Sequence, residues 1–108
     1  MISERVVAIG PDHPSLPGHF PGHPVVPGVV LLNEVLDSLR QAIPEPVVVT
    51  GLPAVKFLTP LKHGEALTIH IEQETPGHAV FRCHAGTRLV ASGSVDYKTA
   101  LLSQMGVR

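Results

Sequence analysis

Residues 66–74 alternate cleanly: Leu67, Ile69 and Ile71 fall on one side, Thr68, His70 and Glu72 on the other. A period of two over that length is the pattern of a half-buried strand. Residues 3–9, 47–58, 78–85 and 89–97 predict four more strands, the second of them β-branched and interrupted by Gly51 and Pro53. Thr75-Pro76-Gly77 and Gly86-Thr87 are turn signals. Strands joined by such short turns imply an antiparallel meander. From Pro27-Gly28 to about residue 42 the period changes to that of a helix. At about 100° per residue, Val29, Leu32, Leu36, Leu39 and Ile43 make one stripe, widened by Leu31, Val35 and Ala42. Glu34, Asp37, Ser38 and Gln41 lie opposite. The helix is apolar over more than half its circumference, which predicts that it is largely enclosed. Pro44 and Pro46 end it. The expectation is a single α+β domain over residues 1–108. One long helix is wrapped by an antiparallel sheet of about five strands, which must curl to bury it.

Composition narrows the function classes. A chain of 108 residues fits one domain, and 44% apolar residues argue against disorder. The net charge of -1, with no cluster of Lys and Arg, gives no footprint for nucleic acid or an anionic membrane. Cys83 is the single cysteine, so no intramolecular disulfide forms. Flanked by Ala79 and Phe81 on its strand face, it reads as a small core residue. The opening MISERVVAIG lacks the apolar core of a signal peptide, and no run reaches the length of a membrane span. A soluble, cytoplasmic protein is expected.

Pro and Gly crowd residues 10–28, but Phe20, Val25 and Val26 are anchors that a disordered arm would lack. Proline then reads as a way to stiffen an ordered loop. His13, His19 and His23 in this loop raise a metal reading. No cysteine accompanies them, and their spacing does not converge on a helix or strand. His63, His70, His78 and His84 read as exposed strand or turn residues. His19 stands apart because it lies nine residues before Gly28, at the start of the apolar helix. A helix N-terminus offers unpaired N–H groups that polarise a carbonyl, and a histidine beside it can take a proton next to that carbonyl. The competing reading is a loop histidine that bonds a backbone group. No Ser-His-Asp set, phosphate-cradling loop or dinucleotide fingerprint is present.

The stretch HFPGHPVVPGVVLLNEVL resembles the hot-dog-fold 3-hydroxyacyl-acyl-carrier-protein dehydratases of the FabZ and FabA type. DHPSLPGHFPGHPVVPGVV is especially similar to their small ApeI-like branch, and AVKFLTPLKHGEALTIHI looks like the strand that follows the helix in that family. The resemblance implies the hot-dog fold, with sites at a dimer interface. It implies a thioester substrate carried on the phosphopantetheine of acyl carrier protein, or an acyl-CoA, with no metal or redox cofactor. It implies that His19 is the base that removes the α-proton and that Gly28 N–H holds the thioester carbonyl. Phe20, Pro21, Pro24 and Pro27 match the loop that presents them, and Val29 is placed against the substrate.

The family's acid, a Glu or Asp fourteen residues after the histidine, falls on Asn33 here. An amide has no proton to give as a general acid. Glu34 is one residue on and turned onto the polar arc. Asp37 is one turn after Asn33 on nearly the same face. The expectation is a 3-hydroxyacyl-carrier-protein dehydratase-like protein, with Asn33 and either Asp37 or Glu34 completing the site. The alternative is a non-catalytic acyl-binding or heterodimer partner of an active dehydratase. A thioester hydrolase on the same fold is the third reading, and the HFPG loop argues against it. A homodimer is expected, with a heterodimer or higher oligomer as alternatives.

Overall fold

The computed structural model describes residues 1–9 and 25–99. In chain order these form β1 (Ile2–Ala8), α1 (Gly28–Ala42), β2 (Val47–Phe57), β3 (Ala66–Thr75), β4 (His78–Ala85) and β5 (Arg88–Thr99). The five strands make one antiparallel sheet in the order β1-β3-β4-β5-β2. The meander expected from the short turns is confined to β3, β4 and β5. Gly77 and Gly86 sit in its two turns with positive φ (83° and 62°), which suits residues without a Cβ. The chain between β1 and β2 includes α1, and this long excursion carries β2 to the far edge beside β5.

Side-chain alternation then builds the core. Leu67, Ile69 and Ile71 of β3 and Ala79, Phe81, Cys83 and Ala85 of β4 all point inward and are buried. Val35 and Leu39 of α1 are fully buried against this face. Truncating such a leucine to alanine costs about 2–5 kcal/mol. Pro27 stands at the N-cap with φ -60°, a value its ring imposes. Its carbonyl accepts from Val30 N and Leu31 N at 3.1 and 3.2 Å. At the other end Ile43 turns extended just before Pro44.

The buried side of α1 differs from the stripe that periodicity suggests. Val30, Leu31, Glu34, Val35, Ser38 and Leu39 face inward. Val29 is 66% exposed, and Leu32 and Leu36 are only half-buried. The two polar residues placed on the solvent arc, Glu34 and Ser38, lie inside, where Arg5 of β1 reaches them. Asn33, Asp37, Arg40 and Gln41 remain at least partly exposed, so one flank of the helix is open rather than enclosed. The described histidines also differ from expectation: His63, His70, His78 and His84 are half-buried, not exposed. His70 Nδ1 lies 3.2 Å from Glu4 Oε2, and His78 Nδ1 lies 2.6 Å from Asp96 Oδ1. These partners come from neighbouring strands.

Candidate active site

The N-terminus of α1 is pinned by backbone pairing before the helix begins. Val26 N donates to Leu61 O at 2.7 Å, and Val25 makes an antiparallel bridge with Lys62. The segment after β2 is itself held to β5: Leu58 N donates to Val90 O at 2.8 Å, and Thr59 Oγ1 donates to Leu89 O at 3.0 Å. Arg88 fastens the same segment from outside. Its Nη2 donates to Pro60 O at 3.1 Å and to both oxygens of Glu65 at 2.9 and 3.0 Å. That hydrogen bonding, with a further bond from Lys62 N, holds the Glu65 carboxyl below the usual carboxylate range.

Between these clamps lies a cavity of about 370 Å³, lined by Gly28 and Leu31 of the helix and by Phe57, Leu58, Leu61 and Val90, among others. Its walls are mainly apolar. Among the described residues no side chain caps the helix, and Gly28 N–H is one of the first-turn donors without an intrahelical partner. Such a donor at the rim of an apolar cavity is suited to gripping a carbonyl oxygen, and the low local dielectric strengthens that bond.

The sequence candidates divide into four groups. His19, Phe20 and Pro21 lie outside the described residues, as do His13, His23 and Pro24. Pro27 and Gly28 stand where expected, at the helix start. Val29, Asn33 and Asp37 face away from the cavity: Val29 is exposed and does not line it, and its neighbour Leu31 does. Asp37 Oδ1 accepts from Arg40 Nη1 at 3.2 Å, an exposed pair of small energetic weight. Glu34 is turned to the opposite flank. Arg5 Nη2 donates to Glu34 Oε1 at 2.7 Å, and Arg5 Nη1 reaches Ser38 Oγ at 2.6 Å and Glu34 O at 3.2 Å. Ser38 Oγ in turn donates to Glu34 O at 2.9 Å. Phe57, Leu58, Leu61 and Val90 are among the lining residues that site reasoning missed. The signal for the first of them was the Lys-Phe-x-x-Pro run within AVKFLTPLKHGEALTIHI. Among the described residues, no three His, Cys, Asp or Glu are grouped to hold a metal ion. No helix among them is long and apolar enough to cross a membrane.

Residues 4–94 match the ApeI-like family, described as ApeI dehydratase. The chain belongs to this family. The ApeI-like chain is also 29% identical over 112 residues to 3-hydroxyacyl-[acyl-carrier-protein] dehydratase FabZ of Chlamydia trachomatis serovar L2, covering 90% of this chain and 71% of that protein. Among solved structures it is similar to a chain of the dehydratase heterocomplex ApeI:P from Xenorhabdus doucetiae. The TM-score is 0.78 at 22% identity, over 90% of this chain and 87% of that one. A variant of acyl-CoA hydrolase from Staphylococcus aureus shares the architecture with a TM-score of 0.70 at 15% identity, over 91% of this chain and 64% of that one. One helix on a five-stranded antiparallel sheet is thus the hot-dog fold, as expected. That fold hosts hydrolases as well as dehydratases, so the fold does not decide the activity. Sequence kinship makes the ApeI-like chain dehydratase-like.

Proposed function

We propose that this protein eliminates water from a 3-hydroxyacyl thioester carried on acyl carrier protein. The observation that carries the reading is Gly28, which lines an apolar cavity at the start of a helix that no described side chain caps, in a chain of a dehydratase family. His19 takes a proton from the carbon next to the thioester carbonyl. Gly28 N–H supports the charge that moves onto the carbonyl oxygen. The C–O bond at the 3-position then breaks, a double bond forms between the 2- and 3-carbons, and the hydroxyl leaves as water once protonated. By the family's motif Phe20, Pro21 and Pro27 are assigned to substrate binding, and the apolar lining takes the acyl chain. The steps are acid–base steps on side chains and call for no metal or redox cofactor.

The last proton is where this chain departs from its family. Glu34 is buried against Arg5 on the other flank of the helix, away from Asn33 and Asp37, so it is not placed to give that proton. Asn33 and Asp37 share the open flank of α1, which supports a site completed by a second subunit. Asp37 then delivers the proton, directly or through a water held by Asn33. Among the described strands β2 has an unpaired edge, and Val48 and Leu52 are exposed there, which supports association through that edge.

The test is to incubate the purified protein with a 3-hydroxyacyl carrier-protein thioester and follow loss of water. Turnover abolished by His19→Ala and by Asp37→Asn is expected, whereas Glu34→Gln lowers turnover without abolishing it. The amide at Asn33 favours one second reading, a non-catalytic acyl-binding or heterodimer partner subunit. Turnover that appears only on adding a carboxylate-bearing dehydratase chain replaces the first reading with this one.

A further inference from the structure

The orientation of α1 on the sheet is not the one apolar burial alone selects. Hydrophobic burial is non-directional, and α1 is apolar over more than half its circumference, so several rotations remove comparable area from water. The observed rotation buries Glu34 at 8% exposure and Ser38 at 2%, while leaving Val29 66% exposed. Something directional must favour it. The Arg5 guanidinium supplies that direction with bonds of 2.7 Å to Glu34 Oε1 and 2.6 Å to Ser38 Oγ and a longer one to Glu34 O. A planar fork fixes both the roll of the helix and its register along β1.

We propose that Arg5 and Glu34 are positioning residues: their ion pair sets the roll of α1 and thereby aims Asn33 and Asp37 outward, toward the second subunit. Asn33 precedes Glu34 by about 100° of helix, so holding Glu34 inward fixes the direction of Asn33. The role assigned to that outward face rests on the dehydratase reading above; the roll itself does not.

The test replaces the pair by apolar residues of similar length, Arg5→Met with Glu34→Met. Such exchanges commonly retain stability because the desolvation cost of the charges disappears with them. Into this doubly substituted background and the wild type, Val30→Cys and Val29→Cys are introduced singly, and alkylation rates are measured. Val30 is 3% exposed. Cys83 is fully buried, and burial pushes its thiol up to about 12, so it serves as an internal reference for global opening. If the pair sets the roll, the thiol introduced at position 30 reacts about tenfold faster in the doubly substituted background. The thiol introduced at position 29 slows, and Cys83 is unchanged. A loosened fold cannot slow the thiol at position 29. Unchanged rates at both introduced thiols, or parallel acceleration of both together with Cys83, overturn the proposal. In the dehydration assay the doubly substituted protein is expected to lose kcat by up to about a hundredfold, as misplacement by about 1 Å does, with KM little changed. A wild type that does not turn over sinks the dehydratase reading and leaves the alkylation result to decide the roll.

Discussion

The ring of Phe57 lies against Gly28 so closely that a Cβ added to Gly28 would stand 3.0 Å from Phe57 Cζ. An aromatic from the end of β2 therefore rests on the first residue of α1, at the proposed oxyanion donor. Gly28→Ala keeps the N–H and improves helix propensity, and Phe57 is 53% exposed, so its ring can swing. Stability is expected to change by less than about 1 kcal/mol, measured by urea unfolding. The displaced ring alters the cavity mouth, so KM for the thioester is expected to rise.

Gly93 poses the opposite case. A Cβ there would collide with the backbone carbonyl of Ala54 and stand 2.7 Å from Phe81 Cζ. Phe81 is 2% exposed, and a backbone oxygen paired across β2 and β5 has little room to retreat. Gly93→Ala is expected to cost about 3 kcal/mol or more, read as a lower urea midpoint with an unchanged slope.

Tyr97 is 5% exposed, and its hydroxyl has no hydrogen-bond partner among the described residues. Burial pushes the phenol above its usual range, by more than the nearby Gly77 backbone offsets. A buried hydroxyl without a well-formed bond carries its desolvation cost with little return. Tyr97→Phe is expected to be neutral or to stabilise by about 1 kcal/mol, a result that a chemical-denaturation midpoint reads directly.

The Glu65–Arg88 bridge has a pH signature. The carboxyl of Glu65 is held below its unfolded value, chiefly by its hydrogen bonds with Arg88. Its contribution is therefore complete above the ordinary carboxylate range and fades as pH falls through the lowered folded value. Thermal melts of the wild type and Glu65→Gln, taken from pH 7 down to about pH 3, are expected to differ most at neutral pH and to converge in acid. A difference that grows in acid would contradict this.

The places where sequence reading succeeded and failed share a physical cause. Pro27, Pro44 and Pro46 bound α1, and Gly77 and Gly86 mark turns, because those residues act through their own backbone geometry. The roll of the helix was hidden, since it depends on Arg5, which is 29 residues from Glu34 and 33 from Ser38. The cavity was hidden for the same reason: Gly28 meets Phe57, and Leu31 and Val90 line one space, only once β2 and β5 are paired. The pairings of His70 with Glu4 and His78 with Asp96 are cross-strand and equally non-local. The expectation that Asn33 falls at the family's acid position comes from the resemblance and a count from His19, and neither needs packing.

Pro53 has a consequence for self-assembly beyond the folded chain. The pairing of β2 with β5 shifts register between Gly51 and Ala54, and Pro53 within that break offers no N–H to an incoming strand. The open edge of β2 is thus divided into two short runs rather than one long template. A single neighbour can seat on such an edge, but the repeated strand addition that builds fibrils needs an uninterrupted ladder. A strand carrying such a break is a poorer template for repeated addition than an uninterrupted one of the same length.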